Sequence, residues 1–98
     1  DMAYQGFGED SQEDAYGIRL MSSRLPEVIV AASYSKSFGL YRERAGSLSL
    51  VFADDKQADA GLSQLLSITR ALYSMPPAHG ASLIDIILHS DELTKLWS

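Results

Sequence analysis

Val28-Ile29-Val30-Ala31-Ala32-Ser33-Tyr34-Ser35-Lys36-Ser37-Phe38-Gly39-Leu40-Tyr41-Arg42-Glu43-Arg44-Ala45-Gly46 reads as a strand and the loop that leaves it. The continuous apolar and small-residue run Val28 to Ser33 fits a strand buried on both faces, as in parallel sheets covered by helices. Directly after it stand a lysine, two serine hydroxyls, two arginines and two glycines. In open α/β sheets ligands gather at strand ends, where loops carry chemistry on a rigid support. A lysine amine partly stripped of water there is what Schiff-base chemistry needs. Arg44 can hold an anion, with Ser33 and Ser35 as hydroxyl donors. The plainer reading is that Lys36 is a solvated loop residue and Arg42-Glu43-Arg44 a surface charge run.

Moving toward the C-terminus, Ser47 to Ala53 predicts a second strand. The loop before it is too short for a helical crossover, so this strand runs antiparallel to the first. One such strand is acceptable in a mostly parallel sheet. Asp54 or Asp55 is a natural N-cap. The helix then runs to Tyr73, with Leu62, Leu65, Leu66, Thr69, Leu72 and Tyr73 at core spacing. Arg70 near its end favours the helix dipole, and Pro76-Pro77 stops it. Ala81 to Leu88 is apolar nearly all round and predicts a buried helix, in which Asp85 needs a partner or an exposed edge. Ser90-Asp91-Glu92 opens a last helix.

On the other side, Asp1 to Gly8 predicts a strand end passing into a glycine-bearing loop. Taken alone, Asp1 is a terminal residue and Tyr4 a partly buried aromatic. Glu9 to Arg24 opens acidic and closes basic, as a helix macrodipole favours. Ser11 with Asp14 resembles a capping box. Ala15, Ile18 and Met21 make a helical stripe, which Gly17 weakens by about 1 kcal/mol relative to alanine. Pro26 ends this surface helix, which carries no chemistry.

The 98 residues make one small domain at most, able to bury roughly two-thirds of the unfolded surface. The net charge of −5 argues against a nucleic-acid surface. There is no cysteine, hence no disulfide framework and no thiolate metal site. No apolar run approaches membrane-spanning length, and no signal peptide is visible. The first residue is not methionine, and the chain is expected to be cut at both ends. Ser33-x-x-Lys36 matches the signature of serine acyl-enzyme hydrolases, but the companion Ser-Asp-Asn and Lys-Thr-Gly elements are missing. A P-loop is excluded, because no glycine-lysine-serine/threonine triplet follows the glycines. His79 and His89 lack metal-ligand spacing and company, so each is expected at a turn or helix end and no metal is expected.

Three motifs, in order, carry a resemblance. Asp1-Met2-Ala3-Tyr4-Gln5-Gly6-Phe7-Gly8 resembles the Asp-x-Ala-Tyr-Gln-Gly-Phe segment of the aspartate and aromatic amino-acid aminotransferases. Ser33-Tyr34-Ser35-Lys36, continuing to Gly46, resembles their cofactor-lysine segment. Arg70-Ala71-Leu72-Tyr73-Ser74-Met75-Pro76-Pro77-Ala78-His79-Gly80 resembles their Arg-x-x-Tyr-Ser-Asn-Pro-Pro-x-x-Gly segment, with Met75 where asparagine is common. The resemblance implies an α/β chain, part of a three-layer αβα sandwich (fold type I) whose sheet is mostly parallel with one antiparallel strand. Residues 1–98 would be the central part of the cofactor-binding large domain, without the small domain or the N-terminal part.

The cofactor implied is pyridoxal 5'-phosphate, held on Lys36 as a Schiff base. Asp1 would face the ring nitrogen, Tyr4 the phenolate oxygen, and Ser33 with Arg44 the phosphate. Arg70, with Ser74, would bind a substrate side-chain carboxylate across a homodimer interface. The implied partners are amino-acid and 2-oxo-acid substrates, aspartate or an aromatic amino acid with 2-oxoglutarate, in a cytoplasmic enzyme. The family's arginine for the α-carboxylate is expected outside this sequence, so the isolated chain is expected to be inactive. The competing reading is a non-catalytic fragment or partner-binding α/β module with no cofactor, leaving Leu62, Leu65 and Leu72 exposed.

Overall fold

A computed structural model describes residues 1–98. A 3-10 turn, Glu13–Ala15, leads into α1 (Tyr16–Arg24); β1 (Val28–Ser33) and β2 (Gly46–Val51) follow, then α2 (Asp55–Tyr73), α3 (His79–Leu88) and α4 (Asp91–Trp97). The two strands form an antiparallel hairpin in which Val28 pairs with Val51 and Ser33 with Gly46. The second strand stops two residues earlier than its apolar pattern, since Phe52 already turns toward the α2 N-cap. On the other edge of β1 there is a single parallel bridge, Met2 to Ala32, in which Met2 N donates to Ala31 O at 2.7 Å.

Helix ends follow their caps. Asp54 accepts from Gln57 N at the start of α2, and Ser90 accepts from Leu93 N at the start of α4. The expected Ser11–Asp14 capping box does not form. Asp10 Oδ1 instead accepts from Gln12 N at 2.7 Å and Glu13 N at 2.8 Å, while Asp14 folds back toward the glycine loop. His79 opens α3, and His89 caps its C-terminus, as expected for a helix-end histidine.

Helix α1 packs on β1, α2 on β2, and α3 on α4. The expectation of a strand buried on both faces is corrected. Along β1 only Val28 is buried, and Ile29 is 72% exposed. The apolar α3 is likewise mostly open, burying Gly80 and Ile84, and its Asp85 is exposed beside His89 at 3.1 Å. The reason is geometric: one two-stranded sheet touched by helices at separate places has no second layer to close on. The exposed surface is 7670 Å², against about 5,500 Å² for a compact chain of this mass. The radius of gyration, 15.0 Å, likewise exceeds the roughly 13 Å of a compact domain of this length. No helix is long and apolar enough to cross a membrane.

Candidate active site

The hairpin loop 34–45 is tied at its base and folded into a turn that holds Lys36. Tyr34 N donates to Ala45 O at 3.0 Å, and the Tyr34 hydroxyl meets Ser47 Oγ at 2.9 Å. Ser33 Oγ accepts from Ser35 N at 3.2 Å, the local side-chain turn that serine favours where a strand ends. Phe38 N then donates to Tyr34 O, and Gly39 N to Lys36 O, each at 3.2 Å. Ser35 is buried, so the turn is seated on the sheet rather than loose in solvent.

Two helices fix the loop from outside. Trp97 Nε1 donates to Ser37 O at 2.7 Å, and its ring stacks on Phe38. At the start of α3, Gly80 lies against Glu43 and Ala45: a Cβ there would sit 2.9 Å from Glu43 Cβ and 3.0 Å from Ala45 Cβ.

The Lys36 amine stands between two phenol rings. Nζ is 5.4 Å from the centroid of Tyr4 and 4.9 Å from that of Tyr41, within cation–π range of both. The structure thus brings Lys36 and Tyr4 together from segments far apart in sequence. Ser33 and Arg44 lie at the two ends of the same loop, with no direct hydrogen bond between them. Arg44 takes a left-handed backbone, φ 53°, and gives one Nη1 donor to Tyr41 O at 3.0 Å, leaving the rest of its fork free.

The other expected residues stand apart. Asp1 is exposed, and its side chain makes no hydrogen bond. Arg70 lies exposed in the last turn of α2, and no ion pair engages it. Ser74 follows as the C-cap, with φ 72° and ψ −72° and its N–H donated to Arg70 O. A cleft of about 560 Å³ includes Ser33, Phe7, Phe38 and Trp97 in its lining but not Lys36.

Tyr41 escaped the reading of the sequence as a site residue. Its signal was present, an aromatic five positions after the lysine and inside the same motif. Asp14 also escaped. Its carboxylate accepts backbone N–H groups from Gly6, Gly8 and Glu9, with Gly8 foremost in holding its pKa below the ordinary 3.8.

No group of three His, Asp or Glu side chains is placed to hold a metal ion. The donor set does suit an aldehyde-bearing aromatic phosphate. It offers a primary amine beside a phenol, and hydroxyl and guanidinium donors on the same loop for an anion.

Comparison with known proteins agrees. The family model for aminotransferase class I and II matches residues 1–97. The aspartate aminotransferase of Salmonella typhi is 52% identical over 97 residues, covering 99% of this chain and 24% of that protein. The aromatic-amino-acid aminotransferase of Paracoccus denitrificans is 46% identical over 97 residues, covering 99% and 25%. The chain therefore spans about a quarter of the length of the curated relatives it matches. A crystal structure of the aromatic-amino-acid aminotransferase from Burkholderia pseudomallei, covalently bound to pyridoxal phosphate, superposes with a TM-score of 0.94 at 44% identity, covering 97% of this chain and 24% of that one.

Proposed function

The chain belongs to the aminotransferase class I and II family, and we propose that it is the central part of the cofactor-binding large domain of an amino-acid transaminase. The observation that carries this reading is the Lys36 amine, held at the end of β1 and flanked by Tyr4 and Tyr41. In this reading β2 is the antiparallel strand of a mostly parallel sheet in a three-layer αβα sandwich. The parallel bridge from Met2 to β1 supports it, and so do the open faces of β1 and α3, which a further layer would cover.

Pyridoxal phosphate, when bound, supplies the electron sink that lets an amino acid release its α-proton. Lys36 would hold the cofactor through its amine. With an amino acid bound, the same amine would carry the proton away from the substrate's α-carbon to the cofactor's imine carbon. Tyr4 would give its hydroxyl to the ring's phenolate oxygen, and Asp1 would pair with the ring nitrogen. Ser33 and Arg44 would anchor the phosphate, a task that suits the planar donor fork of arginine. Arg70, with Ser74 beside it, takes the side-chain carboxylate of a substrate across a homodimer interface. Its free guanidinium supports that assignment, since a partnered one would have to break a bond first. The substrates are aspartate, an aromatic amino acid or both, with 2-oxoglutarate as acceptor. The enzyme is cytoplasmic, like the relative from Dictyostelium discoideum that bears that description.

Cofactor trapping tests the reading. The protein is mixed with pyridoxal phosphate, reduced with borohydride and mapped by peptide mass. A single adduct at Lys36, absent from Lys56 and Lys95, is expected. Equal labelling of all three lysines in a folded protein would sink the proposal. The 98-residue chain by itself is expected to show no turnover, and measurable transamination by it would overturn that part.

A further inference from the structure

Tyr4 is carried by a short glycine-bearing segment, and what holds that segment is Asp14. The Asp14 carboxylate accepts from Gly6 N at 2.8 Å, Gly8 N at 2.9 Å and Glu9 N at 3.1 Å. Phe7 N closes the turn onto Tyr4 O at 3.1 Å. On the other side of Tyr4, Met2 N is fixed to Ala31 O of β1. Tyr4 therefore stands between two anchors, the strand before it and a carboxylate after it. Neither its exposed ring nor its hydroxyl has another protein partner beyond the Lys36 amine.

The anchor is built for its place. Hydrogen bonds from backbone N–H groups to an ionised carboxylate are about twice as strong as neutral ones. Those from Gly8 and Glu9 lead in lowering the Asp14 pKa. Gly8 is required by the same contact, since a Cβ at that position would overlap Asp14 Oδ1. Asp14 lies on the 3-10 turn ahead of α1, so α1 and the tyrosine loop are one mechanical unit.

We propose that Asp14 is a positioning residue for Tyr4: its carboxylate clamps the loop 6–9 and so sets the Tyr4 ring beside the Lys36 amine. This inference rests on the assignment of Lys36 and Tyr4 to the cofactor, and its test separates the two. A tyrosine hydroxyl given to the ring's phenolate oxygen stabilises negative charge there. Without it, the bound cofactor keeps its proton to higher pH. The midpoint of the pH-dependent absorbance change of the intact holoenzyme therefore reads the position of Tyr4, which loss of general stability would not move.

Asp14→Asn presents an amide donor to the loop N–H groups, and Gly8→Ala displaces the carboxylate without changing charge. Each is expected to raise the midpoint by about one pH unit, the scale of one weakened hydrogen bond to an ionised oxygen. The direction is that of Tyr4→Phe, and Asp14→Asn added to Tyr4→Phe moves the midpoint no further. An unchanged midpoint in either single variant, or an additive shift in the double variant, overturns the clamp while leaving the cofactor assignment intact. Retention of the pH-dependent absorbance change in Lys36→Ala overturns the assignment and the clamp with it. The wild-type protein gives a check that needs no variant: amide exchange at Gly6, Gly8 and Glu9 is expected to be slow for exposed residues, and fast exchange there overturns the clamp.

Discussion

The Trp97 indole lies face to face with the Phe38 ring, the centroids 4.5 Å apart and the planes 8° from parallel. Trp97 also donates to Ser37 O at 2.7 Å, so the last helix grips the residues directly after Lys36. The contact joins positions sixty residues apart and makes α4 part of the loop's support. Trp97→Phe removes the hydrogen bond and keeps an aromatic face, and is expected to cost about 1 kcal/mol. Trp97→Ala removes both and should cost about 2 kcal/mol. Urea unfolding of the intact protein, followed by circular dichroism, measures the two.

Gly17 and Gly80 are each the second residue of a helix, α1 and α3, so helix propensity treats them alike. Their surroundings do not. A Cβ at Gly17 meets nothing within 4 Å, whereas at Gly80 it presses on Glu43 and Ala45. Gly17→Ala is expected to stabilise the protein by about 0.5 kcal/mol, by restricting the unfolded chain.

Gly80→Ala is expected to go the other way, costing about 1–3 kcal/mol as an overpacked contact. It should also displace the segment 43–45 and, if Arg44 anchors the phosphate as proposed, weaken retention of pyridoxal phosphate. Thermal melts with and without the cofactor check both parts. Equal melting of wild type and Gly80→Ala would show that the loop yields freely.

Much of this fold was legible because its signals are local. The Val28 to Ser33 run, the short loop and the Ser47 run are enough to predict an antiparallel hairpin, since no helical crossover fits between them. Asp54 and Pro76-Pro77 bracket α2 for equally local reasons. Burial was not legible. The pattern of β1 says which residues suit a covered strand, but cover depends on layers that residues 1–98 do not supply. The fate of Asp14 was hidden too. A capping box is the local partner for an acidic residue near a helix start, and the competing glycine N–H groups come from a loop that has to fold back. At the candidate site, Lys36 and its loop stood out by motif, and Tyr41 was in view but unassigned. Asp1 and Arg70 have roles only by resemblance, because no contact within the chain engages their side chains.

Asp14 should make stability sensitive to acid. Its pKa in the folded protein lies below the ordinary 3.8, chiefly through the N–H groups of Gly8 and Glu9. A carboxyl with a depressed folded pKa contributes stability that is present in full above the unfolded pKa and is lost as pH falls through the folded one. Wild type should therefore exceed Asp14→Asn in stability near neutrality, and the gap should close on acidification below about pH 4. Urea midpoints of both proteins between neutrality and that range test the sign. A gap independent of pH would mean that Asp14 acts by shape alone.

Ser74 stores strain at the end of the helix that carries Arg70. With φ 72° and ψ −72° and Met75 N donating to Tyr73 O at 2.9 Å, it forms a γ-turn of the rare, positive-φ hand. A non-glycine residue held in such a conformation costs on the order of 1–3 kcal/mol. Ser74 N also donates to Arg70 O, so the turn is continuous with the last helical turn and fixes where the chain leaves it. Ser74→Gly should relieve the strain and stabilise the folded protein by about 1 kcal/mol, while loosening the frame around Arg70. If Arg70 receives a substrate carboxylate as proposed, the KM for aspartate rises in this variant and that for an aromatic amino acid changes less. Thermal melts and steady-state kinetics of the intact enzyme with the two substrates read these effects separately. A stabilised variant whose two KM values rise together would separate the strained turn from carboxylate selection.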